Sequence, residues 1–229
     1  MIELKRKSGD IISLWVMAAL IALAPALFLV IGAGLIAAGD SVGYVILLFA
    51  LPLLALLALV VNEGLARQHL RVGVDATHIY LRLPARRGYI RFPRVDASIP
   101  RTALTAIETR TEAYRGAGVV AIQRVFALVL ADGRRIILGG DRPMIAPFFA
   151  QAAAAIAEQT RAPIHDLGMV DGKAGFLLLA GASAPPWGSA ALAPDIAEQR
   201  ATHAAWGLRI ALWIALGALA LSAAARLGG

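Results

Sequence analysis

Two uncharged apolar runs close to the N-terminus constrain this chain more than any other feature. Ile11 to Ala38 is 28 residues without a charge, and Val42 to Val61 is another 20. About 20 apolar helical residues cross the ~30 Å hydrocarbon core of a bilayer, so each run is long enough to span. As a helix rising ~1.5 Å per residue the first would be ~42 Å long, so it must tilt, bend or protrude. Pro25 and Pro52 lie inside the runs. Membrane helices tolerate proline, usually with a kink. Gly39-Asp40-Ser41 is a short, turn-like connection, which predicts a helical hairpin. Lys5-Arg6-Lys7 before the first run fits a signal peptide. A signal core is only ~7–15 residues, however, and a second span follows at once, so a retained anchor is expected.

A third span is expected near the C-terminus. Ile210 to Ala225 carries no charge, and Ala204 to Leu208 extends it beyond Arg209. Arg209 would snorkel to the interface. Pro194-Asp195 with Glu198 has the pattern of a helix start, Asp195 as N-cap and Glu198 at the third position. A helix over 195–227 would leave its first turns outside the bilayer. Basic residues cluster in the N-terminal decapeptide, at Arg67 and Arg71 after the second span, and at Arg200 and Arg209 before the third; the Gly39–Ser41 turn has none. The positive-inside rule then places the N-terminus and the central region in the cytoplasm. Trp15 and Trp206 would lie near the cytoplasmic interface.

Between the spans the periodicity changes. Leu70, Val72 and Val74, then Ile79, Leu81 and Leu83, alternate with polar or small residues, as half-buried strands do. Asp75-Ala76-Thr77 would connect them. Gly88 to Phe92 is a third short strand candidate, and Thr105 to Tyr114 alternates again. Val119 to Leu130 is a nearly continuous apolar run that ends at Asp132-Gly133 and is followed by Arg134 to Leu138, a strong hairpin signal. Ile145, Phe148, Phe149, Ala152 and Ile156 then recur at helical spacing, with Asp141 as the expected N-cap and Pro143 in the first turn.

A transmembrane hairpin leading into short strands and one amphipathic helix resembles bacterial membrane proteins with a PH-like domain. The features that carry the resemblance are Ile99-Pro100-Arg101-Thr102-Ala103-Leu104, the Asp132-Gly133 hairpin, and a helix ending before Ala162-Pro163-Ile164. It covers about 100 residues plus the hairpin. The third span departs from it. The resemblance implies a PH-like β barrel or sandwich with one C-terminal capping helix, and membrane-associated binding or scaffolding, with no catalytic residues to carry over. The expected class is therefore membrane α plus soluble α+β. The expected divisions are a cytoplasmic N-terminus at 1–10, transmembrane helices at 11–38 and 42–61, and a cytoplasmic PH-like domain at 68–167. An Ala/Gly/Pro-rich linker follows at 168–193, then a long helix with the third span at 195–227. In the linker, Phe176-Leu177-Leu178-Leu179 and Pro185-Pro186-Trp187 would either lie on the membrane surface or pack on the β domain.

Catalytic chemistry finds little material. The chain has no cysteine, which excludes disulfides, thiolate zinc sites and thiol catalysis. His69, His78, His165 and His203 lack metal-ligand spacing, and no serine sits in Gly-x-Ser-x-Gly. Gly32-Ala33-Gly34 superficially matches a dinucleotide fingerprint but lies within a span, where small residues serve close helix packing. Glu108 and Glu112, four apart on one strand, share a face with Arg110 between them, and are read as a polar face rather than an acid/base pair. No cofactor or metal is expected, and no enzymatic activity.

Charge is more informative. From Glu63 to Arg142 there are 14 arginines and seven acids, a local net of +7. Arg86, Arg87, Arg91 and Arg94 fall within nine residues and are the expected contact with anionic lipid headgroups or with a protein partner. The interleaved aromatics of a nucleic-acid surface are lacking. The expectation is a multi-pass inner-membrane protein presenting a basic PH-like domain, with an accessory or assembly subunit of a larger membrane complex as the alternative.

Overall fold

The computed structural model describes residues 2–5, 8–116, 119–143, 147–173 and 182–206. The expected span over 210–225, Arg209, Ile145 and the Phe176–Leu179 patch lie outside the described residues. The chain divides into two units, Met1–Arg86 with Pro93–Ile99, and Arg87–Phe92 with Pro100–Gly229.

In the first unit, β1 (Ile2–Lys5) precedes α1 (Ser8–Ala37), which runs unbroken through Pro25, and α2 (Val42–Gln68). Both helices are long and apolar enough to cross a membrane. Many of their large side chains are exposed, Leu23 at 66% and Val30 at 71%. The turn between them uses Gly39 at φ +83°, and Asp40 accepts a hydrogen bond from the Val42 amide at 2.9 Å. The helices touch closely beside that turn. A Cβ built on Gly43 would lie 2.6 Å from the Gly32 carbonyl oxygen, so only glycine permits this approach. Gly34, expected to pack as well, faces open space.

Two strands follow, β2 (Arg71–Val74) and β3 (His78–Leu83), then β4 (Val95–Pro100). They form a four-stranded sheet in the order β1-β2-β3-β4. The Asp75 carboxylate closes the β2–β3 turn by accepting from the amides of Thr77 and His78, both at 2.7 Å. Val72, Val74, Ile79, Leu81, Leu83 and Ile99 bury one face. The Gly88–Phe92 segment is turn rather than strand, and the strand that follows is Val95–Pro100. Its Val-Asp-Ala-Ser-Ile alternation is a period-two signal between Pro93 and Pro100.

The second unit is built on β5 (Leu104–Gly116), β6 (Val119–Leu130), β7 (Arg135–Asp141) and β8 (Ile164–Gly172), in the order β7-β6-β5-β8. The β6–β7 hairpin turns on Gly133 at φ +81°. The sequence pattern places one helix last, but α3 (Phe149–Thr160) is followed by β8, which pairs with β5 in parallel. No barrel closes; the β region is two separate four-stranded sheets. Asp141 does serve α3, though not as an adjacent N-cap. Its carboxylate reaches forward from the end of β7 to accept from the amides of Phe148, Phe149 and Ala150 at 2.9, 3.0 and 2.7 Å. Pro143 therefore precedes the helix rather than entering its first turn. Phe149, Ala152, Ala153 and Ile156 are the buried stripe of α3.

Residues 194–206 are helical. Pro194 occupies the first helical position, where its missing amide costs no hydrogen bond, and Asp195 sits inside the first turn rather than at the cap.

Candidate functional site

The exposed face of the first sheet carries a groove. Its register follows from the short turn at Asp75: Arg71 stands directly opposite Arg82, and Gly73 opposite Tyr80. On the other edge of β2, Lys5 stands opposite Arg71 and Glu3 opposite Gly73. Two rows thus cross the sheet, one of three basic residues and one running Glu3–Gly73–Tyr80. Asp96 and Ser98 of β4 extend the same face. Glu3, Arg71, Tyr80, Arg82, Asp96 and Ser98 line a cavity of about 400 Å³, open to solvent, with Gly73 leaving its floor free of side chain.

Like charges placed directly opposite on neighbouring strands repel. Glu3 relieves Arg71 only weakly, at 3.9 Å. Among the described residues neither Arg82 nor Asp96 has an ion-pair partner. The position is also set by chain geometry. Only two residues separate the end of β1 from α1, and two separate α2 from β2. The basic row is therefore the row of the sheet next to the helix ends. Asp75 borders this face. The amides of Thr77 and His78, and then the Tyr80 hydroxyl, hold its carboxyl well below the usual carboxylate range, and the same bond raises Tyr80.

The four arginines singled out in the sequence are divided between the two units. Arg86 and Arg94 belong to the first unit, Arg87 and Arg91 to the second. Arg86 pairs with Glu63 at 3.9 Å. Arg87 is buried at 4% exposure. It donates to the Ile137 carbonyl at 2.9 Å and lies over the Phe92 ring, and burial lowers its guanidinium to about 10. It is a packing residue, not a surface contact. Arg91 and Arg94 are exposed.

Arg71 and Arg82 lay within reach of sequence reasoning. Once Asp75-Ala76-Thr77 is taken as a tight hairpin turn, residues equidistant from it pair, and 71 pairs with 82. Glu3 and Lys5 did not, because nothing local marks four residues before a membrane-type helix as a strand.

The polar face of β5 has a different fate. Glu112 is wholly buried, Arg110 is 1% exposed, and they pair at 2.6 Å. Tyr114 donates its hydroxyl to Glu112, and Gln123 donates at 2.9 Å. Burial, and then the Glu112 charge, pushes the Tyr114 hydroxyl far above its ordinary value, so it remains a donor. The remaining Arg110 donors go to the carbonyls of Pro185 and Pro186, each at 2.8 Å, and Trp187 stacks 4.1 Å from the guanidinium. The Trp187 indole also donates to Glu108, which Arg135 reaches at 2.8 Å. The Pro185-Pro186-Trp187 stretch thus packs on the β region as a strap. Every partner in this network is satisfied from within the chain, as in a structural polar core.

No family model, curated protein or solved structure matches the chain.

Proposed function

We propose that this is a non-enzymatic integral membrane protein whose helical hairpin spans the bacterial inner membrane and whose β region works at the cytoplasmic surface as a phospholipid-contacting scaffold. The observation that carries the reading is the β1–β2 ladder. It ties the strand before α1 to the strand after α2, so both ends of the apolar hairpin enter one sheet. With α1 and α2 in the bilayer, the exposed Arg71 and Arg82 stand at headgroup level. Each Lys or Arg near an anionic surface contributes about 1 kcal/mol of attraction. The exposed Arg94 of the same unit adds to that attraction.

Two four-stranded sheets with an amphipathic helix are the features that favour a PH-like module. The strand after the helix departs from that pattern. The alternative, a subunit of a larger membrane complex, draws on the outward-facing apolar side chains of α1 and α2, which would suit neighbouring helices as well as lipid.

The test is affinity purification of the full-length chain in mild detergent, with mass spectrometry of bound lipid and protein. The wild type is expected to retain phospholipid, and an Arg71→Gln/Arg82→Gln variant to lose most of it. A stoichiometric protein partner kept equally by both, with no retained lipid, would replace the lipid reading with the subunit reading.

A further inference from the structure

We infer that the groove on the first sheet binds a lipid phosphate esterified to a small polyol, a phosphatidylglycerol-type headgroup, with the arginines on the phosphate and Asp96 on the polyol hydroxyls. The inference rests on the proposed placement of this sheet at the bilayer surface and adds a ligand class to it.

The choice of ligand follows from which groups in the groove are already engaged. Glu3 is engaged, with Arg71 at 3.9 Å among its contacts. That contact is long, and the Arg71 side chain stays 51% exposed. Arg82 is exposed and has no ion-pair partner among the described residues. The two arginines stand opposite each other on the ladder, where Cβ atoms lie about 5 Å apart. That spacing lets two guanidinium forks close on one phosphate, the geometry arginine favours. The remaining groups are acceptors. Asp96 is exposed, without an ion-pair partner among the described residues, and Ser98 lies on the same wall. Tyr80 gives its hydroxyl proton to Asp75, which leaves the phenolic oxygen able to accept. An open carboxylate repels a bare phosphate. A polyol makes it a partner, because two neighbouring hydroxyls donate to its two oxygens and bring no charge of their own. An ammonium group has three N–H donors and calls for more open acceptor charge than one carboxylate supplies. The cavity of about 400 Å³ is at the small end of ligand pockets, suited to a headgroup rather than to a whole lipid. Its position beside the helix ends makes the lipid, with its acyl chains in the bilayer, the source of the headgroup.

The test uses the full-length chain in non-ionic detergent, titrated with short-chain phosphatidylglycerol, phosphatidylmethanol and phosphatidylethanolamine, and separately with free glycerol phosphate. Binding is read by calorimetry and by the shift in melting temperature. Phosphatidylglycerol is expected to bind best. Phosphatidylmethanol keeps the single negative charge and lacks the hydroxyls. It should be weaker by roughly tenfold or more, since one charge-assisted hydrogen bond is worth about that factor. This comparison is made on the wild type and needs no variant. Asp96→Ala should bring phosphatidylglycerol down to the level of phosphatidylmethanol and leave phosphatidylmethanol no weaker. Arg82→Gln should weaken both. Asp96 and Arg82 are exposed, so these variants should keep the wild-type melting temperature without ligand, which confirms folding. Equal binding of phosphatidylmethanol and phosphatidylglycerol, or tighter binding of phosphatidylethanolamine, would overturn the polyol assignment while leaving the lipid-contacting reading intact. A response to free glycerol phosphate with none to the lipids would overturn the lipid source. No response to any of these ligands would overturn both readings.

Discussion

Replacing Glu112 with alanine tests the buried network of the second unit. The carboxylate accepts from Arg110 through Nε and Nη2, from the Tyr114 hydroxyl and from Gln123. Removing it strands a guanidinium that is 1% exposed. Breaking a buried ion pair from one side typically costs about 3–5 kcal/mol. Arg110 keeps its two bonds to the Pro185 and Pro186 carbonyls and its stack on Trp187, which offset part of the loss. Tyr114 and Gln123 lose an acceptor at the same time, which raises it again. A cost of about 3–4 kcal/mol is therefore expected within that range, against a total of about 5–15 kcal/mol for a typical domain. The control is Asp166→Ala. Asp166 pairs with Arg124 at 2.9 Å, but the two side chains are 52% and 57% exposed, and an exposed pair contributes about 1 kcal/mol or less. Urea unfolding of the detergent-solubilised protein, followed by intrinsic tryptophan fluorescence, compares the two. Equal midpoints for Glu112→Ala and Asp166→Ala would refute the reasoning, because burial would then not be what sets the strength of the pair.

Two further outcomes follow from local geometry. Gly43→Ala puts a methyl group 2.6 Å from a backbone oxygen of α1 and should cost about 1–3 kcal/mol of hairpin stability, whereas Gly34→Ala enters open space and should leave the melting temperature in detergent nearly unchanged. The Asp75 carboxyl titrates lower in the folded chain than in the unfolded one, so its contribution is present above the unfolded value of about 3.9 and is lost as pH falls through that value toward the folded one; Asp75→Asn should flatten the decline of melting temperature below about pH 4, and an unaltered acid profile would count against the turn geometry.

How much of this was legible beforehand depended on distance along the chain. The hairpin, β2, β3, β5 and the Asp132-Gly133 turn were readable because each rests on a run or alternation within a dozen residues. Val95–Pro100 carries a period-two pattern as well, but it is short and its outward positions are Asp96 and Ser98, so the local signal is weak. Asp141 is legible as a cap, yet its helix starts eight residues further on, because a carboxylate held at a strand end can serve amides delivered to it by the fold. For a related reason, proximity in sequence does not tell which of Arg86, Arg87, Arg91 and Arg94 are exposed. The chain turns within that stretch, burying Arg87 and dividing the four between two units.

The sequence alone determined that two segments of this chain are long and apolar enough to cross a membrane, and that a basic, strand-rich region follows them. Uncharged length and period-two alternation are local properties and do not depend on what they pack against. Tertiary structure alone decided which residues stand beside one another. The pairing of Lys5 with Arg71, the row they make with Arg82, and the seating of Trp187 on Arg110 join residues separated by a helical hairpin or by most of a domain. Such pairings are set by ladder register and burial over the whole fold.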